Sequence, residues 1–488
     1  MTNIINKKAQ KSLKWTAIKT LFNSIIQPFY RILLAILLIP SDFAYIAVIT
    51  LIISFAEMLN NVGVGEAVIQ RDDVTKKDLS SLFFFNLIIT FFIAGLLFLS
   101  SSTFASYYSM NELDQIVKVL SITVILNGST SLFKFYLHKE FLFKQTTLIQ
   151  VIKITFEILM SIILIVIGYS IWGYVIGILV SNAVHAILLA YFVFKKTDFR
   201  IGFNFSIKSL SRFLNFGIFV SGKKTLTFIS HRIDEVIIGG LLSAEILGAY
   251  YLAKNILLQC QTLITTSFGQ VLLPLFSKLK NDLDLLKRYY VNILFVVSFL
   301  SFPVFIGIIL TAQYFVPLIF GEEWELSIGV FKLLSIPVIF EVLSAGITSS
   351  LLYSQNKTIL VFIIDLIFAL GYLGLLFVFN NNDLDNIIYL YSGYIILKFI
   401  ISQYFLGKIL TLNYKNYVNI FKESLISTIV MAITVIFLQK VLETYFHTSI
   451  LLILSVCCGG VVYILLNIVL NKERTFSVFK LAKDIVRR

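Results

Sequence analysis

The sequence predicts an all-α polytopic membrane protein with about 14 transmembrane helices. Three observations predict it. Hydrophobic residues make up 58% of the 488-residue chain and charged residues 14%, with a mean hydropathy of +0.90. A soluble chain carries roughly 25% charged residues. Apolar runs close to the length of a bilayer crossing recur from end to end, separated by short polar links. The same six-crossing unit also occurs twice. Arg31–Tyr45 (RILLAILLIPSDFAY) lies over Glu235–Ala249 (EVIIGGLLSAEILGA), with Ile, Leu and Val exchanging. Val117–Ile125 (VKVLSITVI) lies over Phe331–Ile339 (FKLLSIPVI), where Lys118 falls on Lys332.

The elements alternate between acidic and basic links. The first span, 12–39, has no cleavage signature after it and reads as a retained crossing. Asp42 separates it from 43–69, which ends at Arg71, Lys76 and Lys77. Span 79–104 leads through Glu112 and Asp114 to 115–137, and that span ends at Lys139 and Lys144. Spans 145–168 and 171–194 lead to Lys195, Lys196, Arg200, Lys208 and Arg212. Span 212–242 turns at Glu245 into 245–273, which is followed by Lys278, Lys280, Lys287 and Arg288. Span 290–318 meets Glu322, Glu323 and Glu325, then 327–353 and Lys357. Span 358–379 meets Asp383 and Asp385, then 386–410, with Lys408, Lys415 and Lys422. Spans 421–440 and 448–470 precede a basic tail.

Most of the 40 Lys and Arg residues therefore gather on one side, together with the N-terminal Lys7, Lys8, Lys11 and Lys14. That side is expected to be cytoplasmic, and an even number of crossings returns both termini to it. The net charge of +13 is a topology signal, and no nucleic-acid partner is expected. The links leave no room for a soluble catalytic domain. No zinc spacing, nucleophile elbow or phosphate loop is present, so neither enzyme activity, a metal nor a cofactor is expected. Cys260, Cys457 and Cys458 read as apolar filler.

The repeat organises the chain as an N-lobe (1–211), a C-lobe (212–420) and an add-on of two helices with a cytoplasmic tail (421–488). Both lobes contain an even number of crossings and keep one orientation, as a parallel repeat requires. GVGEAVIQR (63–71), RIDEVIIGGLLSAEILGAYYLAKNI (232–256) and FGEEW (320–324) resemble the polysaccharide and lipid-linked oligosaccharide flippases of the MOP superfamily. That superfamily also holds the MATE drug exporters and the lipid II flippase. The resemblance implies two six-helix lobes in a V, alternating access by lobe rocking, and residence in the bacterial cytoplasmic membrane. It implies a polyprenyl-diphosphate-linked oligosaccharide as cargo, membrane lipids as surroundings, and a polysaccharide polymerase complex as a protein partner. The alternative is a MATE-like, cation-coupled exporter of small organic solutes. A membrane-embedded polymerase or glycosyltransferase would need a large polar outer loop, which is missing.

Charges inside spans are costly and mark an interior or a wetted path. The bases are Lys19, Arg31, Lys118, Lys134, Lys153, Lys223, Lys224, Arg232, Lys254, Lys332 and Lys398. The acids are Glu57, Glu66, Glu157, Asp234, Glu235, Glu341 and Asp365. The bases outnumber the acids, which suits a diphosphate and disfavours a cationic drug. Thr20, Ser24, Gln27 and Arg31 form one stripe. Lys223, Thr227, Ser230 and Asp234 form another, at spacings that share a helix face. Arg31, Lys223, Arg232, Lys254 and Lys398 are the candidate substrate cations. Asp234, Glu57 and Asp365 are the candidates for coupling to protons or sodium. Lys118, Lys332 and Lys134 are expected to snorkel to the surface. Lys153 is expected to neutralise Glu157 one turn on. Ser277–Tyr290 and Arg474–Arg488 carry the pattern of segments lying on an anionic leaflet.

Overall fold

The computed structural model describes residues 2–60, 64–71, 73–197, 199, 201–202, 205–344, 346–379 and 381–476. The described residues are helical, with no strand among them. Eleven stretches among them are long and apolar enough to cross a membrane, which makes the chain a multi-pass membrane protein. One of these, Phe143–Lys196, is itself two helices, consistent with the expected number of crossings.

The helices in order are α1 (Thr2–Leu37), α2 (Pro40–Asn60), α3 (Val64–Gln70), α4 (Lys76–Leu99), α5 (Ser101–Tyr108) and α6 (Leu113–Lys139). Then come α7 (Phe143–Leu164), α8 (Ser170–Lys196), α9 (Ile207–Leu241), α10 (Ala244–Leu279), α11 (Leu283–Phe320) and α12 (Glu325–Ser344). The last are α13 (Ile347–Ser354), α14 (Thr358–Phe379), α15 (Leu384–Leu410), α16 (Tyr414–Leu442) and α17 (Thr448–Leu470). Predicted spans 358–379 and 448–470 coincide with α14 and α17. Span 43–69 is described as α2 and α3, with residues 61–63 between them outside the described residues. Two other predicted spans are each broken into two helices. Span 79–104 breaks at Ser100, whose amide and hydroxyl both donate to the Leu96 carbonyl, at 2.9 and 2.6 Å. Span 327–353 breaks near Gly346, which sits at φ +72°. Hydropathy registers the apolar length of such a stretch and misses a local turn within it.

The ends are set by local chemistry. Thr75 and Asp78 form a reciprocal capping box at the start of α4: the Asp78 amide donates to Thr75 Oγ1 at 3.2 Å, and the Thr75 amide donates to Asp78 Oδ2 at 2.9 Å. Gly321, at φ +100°, closes α11 within the FGEEW segment. A short π-helical turn, Ile165–Tyr169, joins α7 to α8. Ser170 after it donates to Asp42 Oδ2 at 2.7 Å, and the Trp172 indole donates to Glu112 Oε2 at 2.9 Å. Asp42 and Glu112, acids of two links, are thus used to fasten turns.

The chain divides into two compact units, residues 1–248 and 249–488. In the first, α7 packs on α8, and α6 packs on both α4 and α8. α9 packs on α2, α3, α4 and α5 of the same unit. Its start is buried in an apolar core with Val68, Leu82, Phe133, Leu137, Val193 and Phe199, to which it contributes Leu210 and Phe213. Gly248 lies against the start of α2, where a Cβ would overlap the carbonyl oxygen of Pro40. Only glycine allows that backbone approach.

In the second unit α11 is central. It packs on α12, α16 and α17, and α12 and α14 pack on α15. α16 and α17 are tied to α11 by polar bonds as well as apolar area. Tyr463 Oη donates to the Phe299 carbonyl at 2.9 Å, and Gln439 Nε2 donates to the Leu310 carbonyl at 3.1 Å. Such bonds inside a bilayer replace water that is not there. Of the two predicted interfacial segments, Leu283–Tyr290 is the first part of α11, and residues 477–488 lie outside the described residues.

Candidate substrate site

The first unit contains two adjoining polar cavities inside its spans. The first, of 170 Å³, is lined by Gln27, Tyr30 and Arg31 of α1, Thr50, Ser54 and Glu57 of α2, Asn127 of α6, Lys153 and Glu157 of α7, and Tyr174 and Asn182 of α8. The second, of 280 Å³, shares Glu57, Asn127 and Lys153 with it and adds Asn60, Thr130, Ser131, Lys134, Gln150 and His185. The shared residues make the two one continuous polar tract.

Helical spacing explains why these side chains meet. Gln27 and Arg31 are one turn apart on α1. Thr50, Ser54 and Glu57 repeat at i, i+4 and i+7 on α2, as do Asn127, Ser131 and Lys134 on α6. Each stripe faces inward while its helix presents apolar residues elsewhere. Glu57 and Lys134 are exposed within the structure, and Arg31, Lys153 and Glu157 are half-buried. Arg31 and Lys153 are the cations whose charge bears on Glu157, and Lys134 and Lys19 bear on His185. No salt bridge joins Lys153 to Glu157. The charge of Lys153 still bears on Glu157, as the spacing predicts, but without a direct bond, and both side chains line the tract. Arg31, Lys134 and Lys153 face Glu57 and Glu157, so cations outnumber acids on the lining. A low-dielectric wall strengthens the field of that excess.

The second unit gathers a different cluster. Lys254 of α10 is 3% exposed, its ammonium 5.5 Å from the Tyr250 ring and 5.9 Å from that of Tyr391. Tyr391 Oη donates to Glu341 Oε2 at 3.4 Å. Lys398 of α15 pairs with Asp365 of α14 at 2.9 Å and lies over the Tyr394 ring at 5.9 Å. Tyr372 stacks on Tyr394 at 4.7 Å and meets Tyr391 edge-on at 5.9 Å. Two bases, two acids and a tyrosine cluster thus form one compact network.

The predicted site residues separate as follows. Arg31 and Glu57 share the first cavity. Lys254, Lys398 and Asp365 share the second-unit network. Arg232 of α9 bonds both oxygens of Glu235, at 3.0 and 2.8 Å, and Glu235 is 2% exposed. Asp234 is fully buried and accepts from the Glu235 amide at 2.9 Å. The side chains of Lys223 and Glu66 lie outside the described residues. On the α9 stripe Thr227 is exposed and Ser230 is buried. Sequence reasoning set aside Lys134 and Lys153 and did not single out Asn127, Gln150 or His185. The polar stripe on α6 was the signal that could have found that side of the tract.

Comparison with solved structures gives the class first. The fold matches the lipid II flippase MurJ in its inward closed conformation with a TM-score of 0.76, at 16% identity, covering 94% of this chain and 98% of that one. It matches an inward-facing MATE family multidrug resistance transporter with a TM-score of 0.62, at 16% identity, covering 80% of this chain and 98% of that one. The fold is that of the MOP-superfamily transporters.

The chain belongs to the polysaccharide biosynthesis protein family, whose model matches residues 33–329. It is 26% identical to the teichuronic acid biosynthesis protein TuaB of Bacillus subtilis (strain 168) over 464 residues, 95% of each chain. It is 25% identical to the lipopolysaccharide biosynthesis protein WzxC of Escherichia coli (strain K12), over 68% of this chain and 67% of that one.

Proposed function

We propose that the protein is a flippase. It moves polyprenyl-diphosphate-linked oligosaccharide from the cytoplasmic to the outer leaflet of the cytoplasmic membrane, for surface polysaccharide synthesis. The observation that carries this reading is the cation excess on the polar tract of the first unit, in a chain of the polysaccharide biosynthesis family. Arg31, Lys134 and Lys153 offer several charge-assisted donors to a diphosphate at once. Asn127, Asn182 and Gln150 offer amide partners to sugar hydroxyls. The polyprenyl chain stays in the bilayer, where it costs no desolvation. The same excess of cations disfavours a small cationic drug.

Transport proceeds by alternating access, with the basic end of the protein and both termini in the cytoplasm. Glu57 is the coupling acid we favour, because it lies on the tract, whereas Asp365 is neutralised by Lys398. The test is a deletion strain. Surface polysaccharide should be lost while the lipid-linked unit accumulates on the cytoplasmic side. Normal surface polysaccharide, or loss without accumulation of that unit, overturns the reading.

A further inference from the structure

The second unit has a groove of 1050 Å³ whose chemistry differs from that of the polar tract. α12, α15 and the start of α16 form its walls. Phe399, Ile400, Tyr404, Val418, Phe421 and Leu425 make most of its surface apolar. Gln403 at its floor is already satisfied. Its Oε1 accepts from Tyr290 Oη at 2.5 Å, and its Nε2 donates to Thr348 Oγ1 at 3.4 Å. The floor therefore asks for neither water nor a polar ligand.

The charged residues of the lining are both basic. The link between α15 and α16 supplies Thr411 and Asn413, the last turn of α15 supplies Lys408, and Lys422 lies further along α16 beside Phe421. Both lysines are exposed, and among the described residues neither forms a salt bridge. Lys408 only rests on the Tyr404 ring, at 4.6 Å. The acid next to Lys422 in sequence is engaged elsewhere, since Glu423 accepts from Asn471 at 2.9 Å and pairs with Arg474 at 3.6 Å. No acid lines the groove. A third lysine, Lys287, braces the link by donating to the Thr411 carbonyl at 3.0 Å.

We propose that this groove binds an anionic glycerophospholipid from the leaflet at the basic end of the protein. The phosphate sits between Lys408 and Lys422, and the acyl chains lie along the aromatic wall. Charge complementarity selects the occupant. An apolar groove alone would accept any lipid tail. Two lysines on its lining, with no acid beside them there, select against zwitterionic and neutral lipids. Basic pockets between spans at the cytoplasmic face hold anionic head groups by this arrangement. The site is separate from the proposed cargo tract and makes no demand on which glycan is carried.

The test uses the purified full-length protein in neutral detergent, titrated with palmitoyl-oleoyl phosphatidylglycerol or phosphatidylcholine and read by native mass spectrometry. The wild type should bind one phosphatidylglycerol roughly thirtyfold more tightly than phosphatidylcholine. Lys408→Ala with Lys422→Ala should bring the two lipids to equal affinity, and Lys422→Ala alone should lose roughly fivefold. Val418→Trp, which fills the groove, should weaken both lipids. Thermal unfolding without added lipid checks that each variant is folded. Both lysines are at the surface, so the single variant remains readable if the double variant fails. Equal affinity in the wild type overturns the proposal, as does selectivity that survives the double substitution. Displacement of phosphatidylglycerol by an equimolar polyprenyl diphosphate overturns it as well, because the groove would then belong to the cargo.

Discussion

The ammonium of Lys398 lies 2.9 Å from Asp365 Oδ1, which joins α15 to α14 by a charge pair inside the spans. The side chains are 30% and 32% exposed, so each alone would face partly apolar surroundings uncompensated. Removing one partner strands the other's charge. Lys398→Met or Asp365→Asn should each lower stability by about 1–2 kcal/mol, the partial exposure keeping the cost below that of a fully buried pair. Combining the two should recover most of that loss. Thermal unfolding in detergent checks it, and a double variant as unstable as the sum of the singles would show that the pair is not coupled.

Arg232 calls for a different outcome. Its guanidinium grips both oxygens of the buried Glu235. Arg232→Ala removes two charge-assisted hydrogen bonds from that buried carboxylate and should reduce the amount of protein in the membrane. Adding Glu235→Gln should restore the level. Recovery of protein without recovery of surface polysaccharide would assign Arg232 a role in transport beyond pairing. Immunoblotting of membranes alongside a polysaccharide assay separates the two.

Much of the fold was legible because apolar length and link charge are additive along the chain. Spans 358–379 and 448–470 needed nothing more. The breaks at Ser100 and near Gly346 were not legible, since each depends on one residue's backbone or hydroxyl within an apolar run. The site was legible where polarity repeats on one face, as at Gln27 and Arg31. It was lost at Lys153, where an acid at i+4 fits a local pair equally well. Only the third dimension shows that Lys153 and Glu157 turn into the cavity without bonding. Likewise Lys398 and Asp365 are 33 residues apart, and no local spacing reports their pairing.

Outside the spans, Asp73 accepts from Arg71 Nε at 3.1 Å and from Arg212 at 2.5 Å, and both guanidinium groups rest on the Phe213 ring. The Arg71 hydrogen bond, followed by the charge of Arg212, holds the Asp73 carboxyl below its ordinary range. A carboxyl depressed in the folded state stabilises above its unfolded pKa of about 3.9, and that contribution fades as pH falls through the lower folded value. The link 73–75 should therefore be equally protected from hydrogen exchange between pH 5 and 8 and lose protection below pH 4. Asp73→Asn should show the low protection at every pH. Protection in the wild type that rises on acidification would contradict the clasp.

The polar tract makes the most direct prediction about mechanism. In a background without Cys260, Cys457 and Cys458, cysteines at Gln27 and Glu57 should react with a small water-soluble thiol reagent, because both positions line the tract. Ile25 is 64% exposed, but on an apolar face of α1, and a cysteine there should react much less despite its exposure. Ser230, at 6% exposure, should also be slow, which separates the two lead helices that sequence alone placed on equal terms. Arg31→Gln should then abolish surface polysaccharide while the cysteine pattern at Glu57 persists. Arg31→Lys should rescue only in part, because an ammonium lacks the planar fork that grips two phosphate oxygens. If Gln27 and Ile25 label equally, the tract is not a wetted path. If Arg31→Gln exports normally while Gln27 still labels, the tract is wet but its cations do not hold the diphosphate.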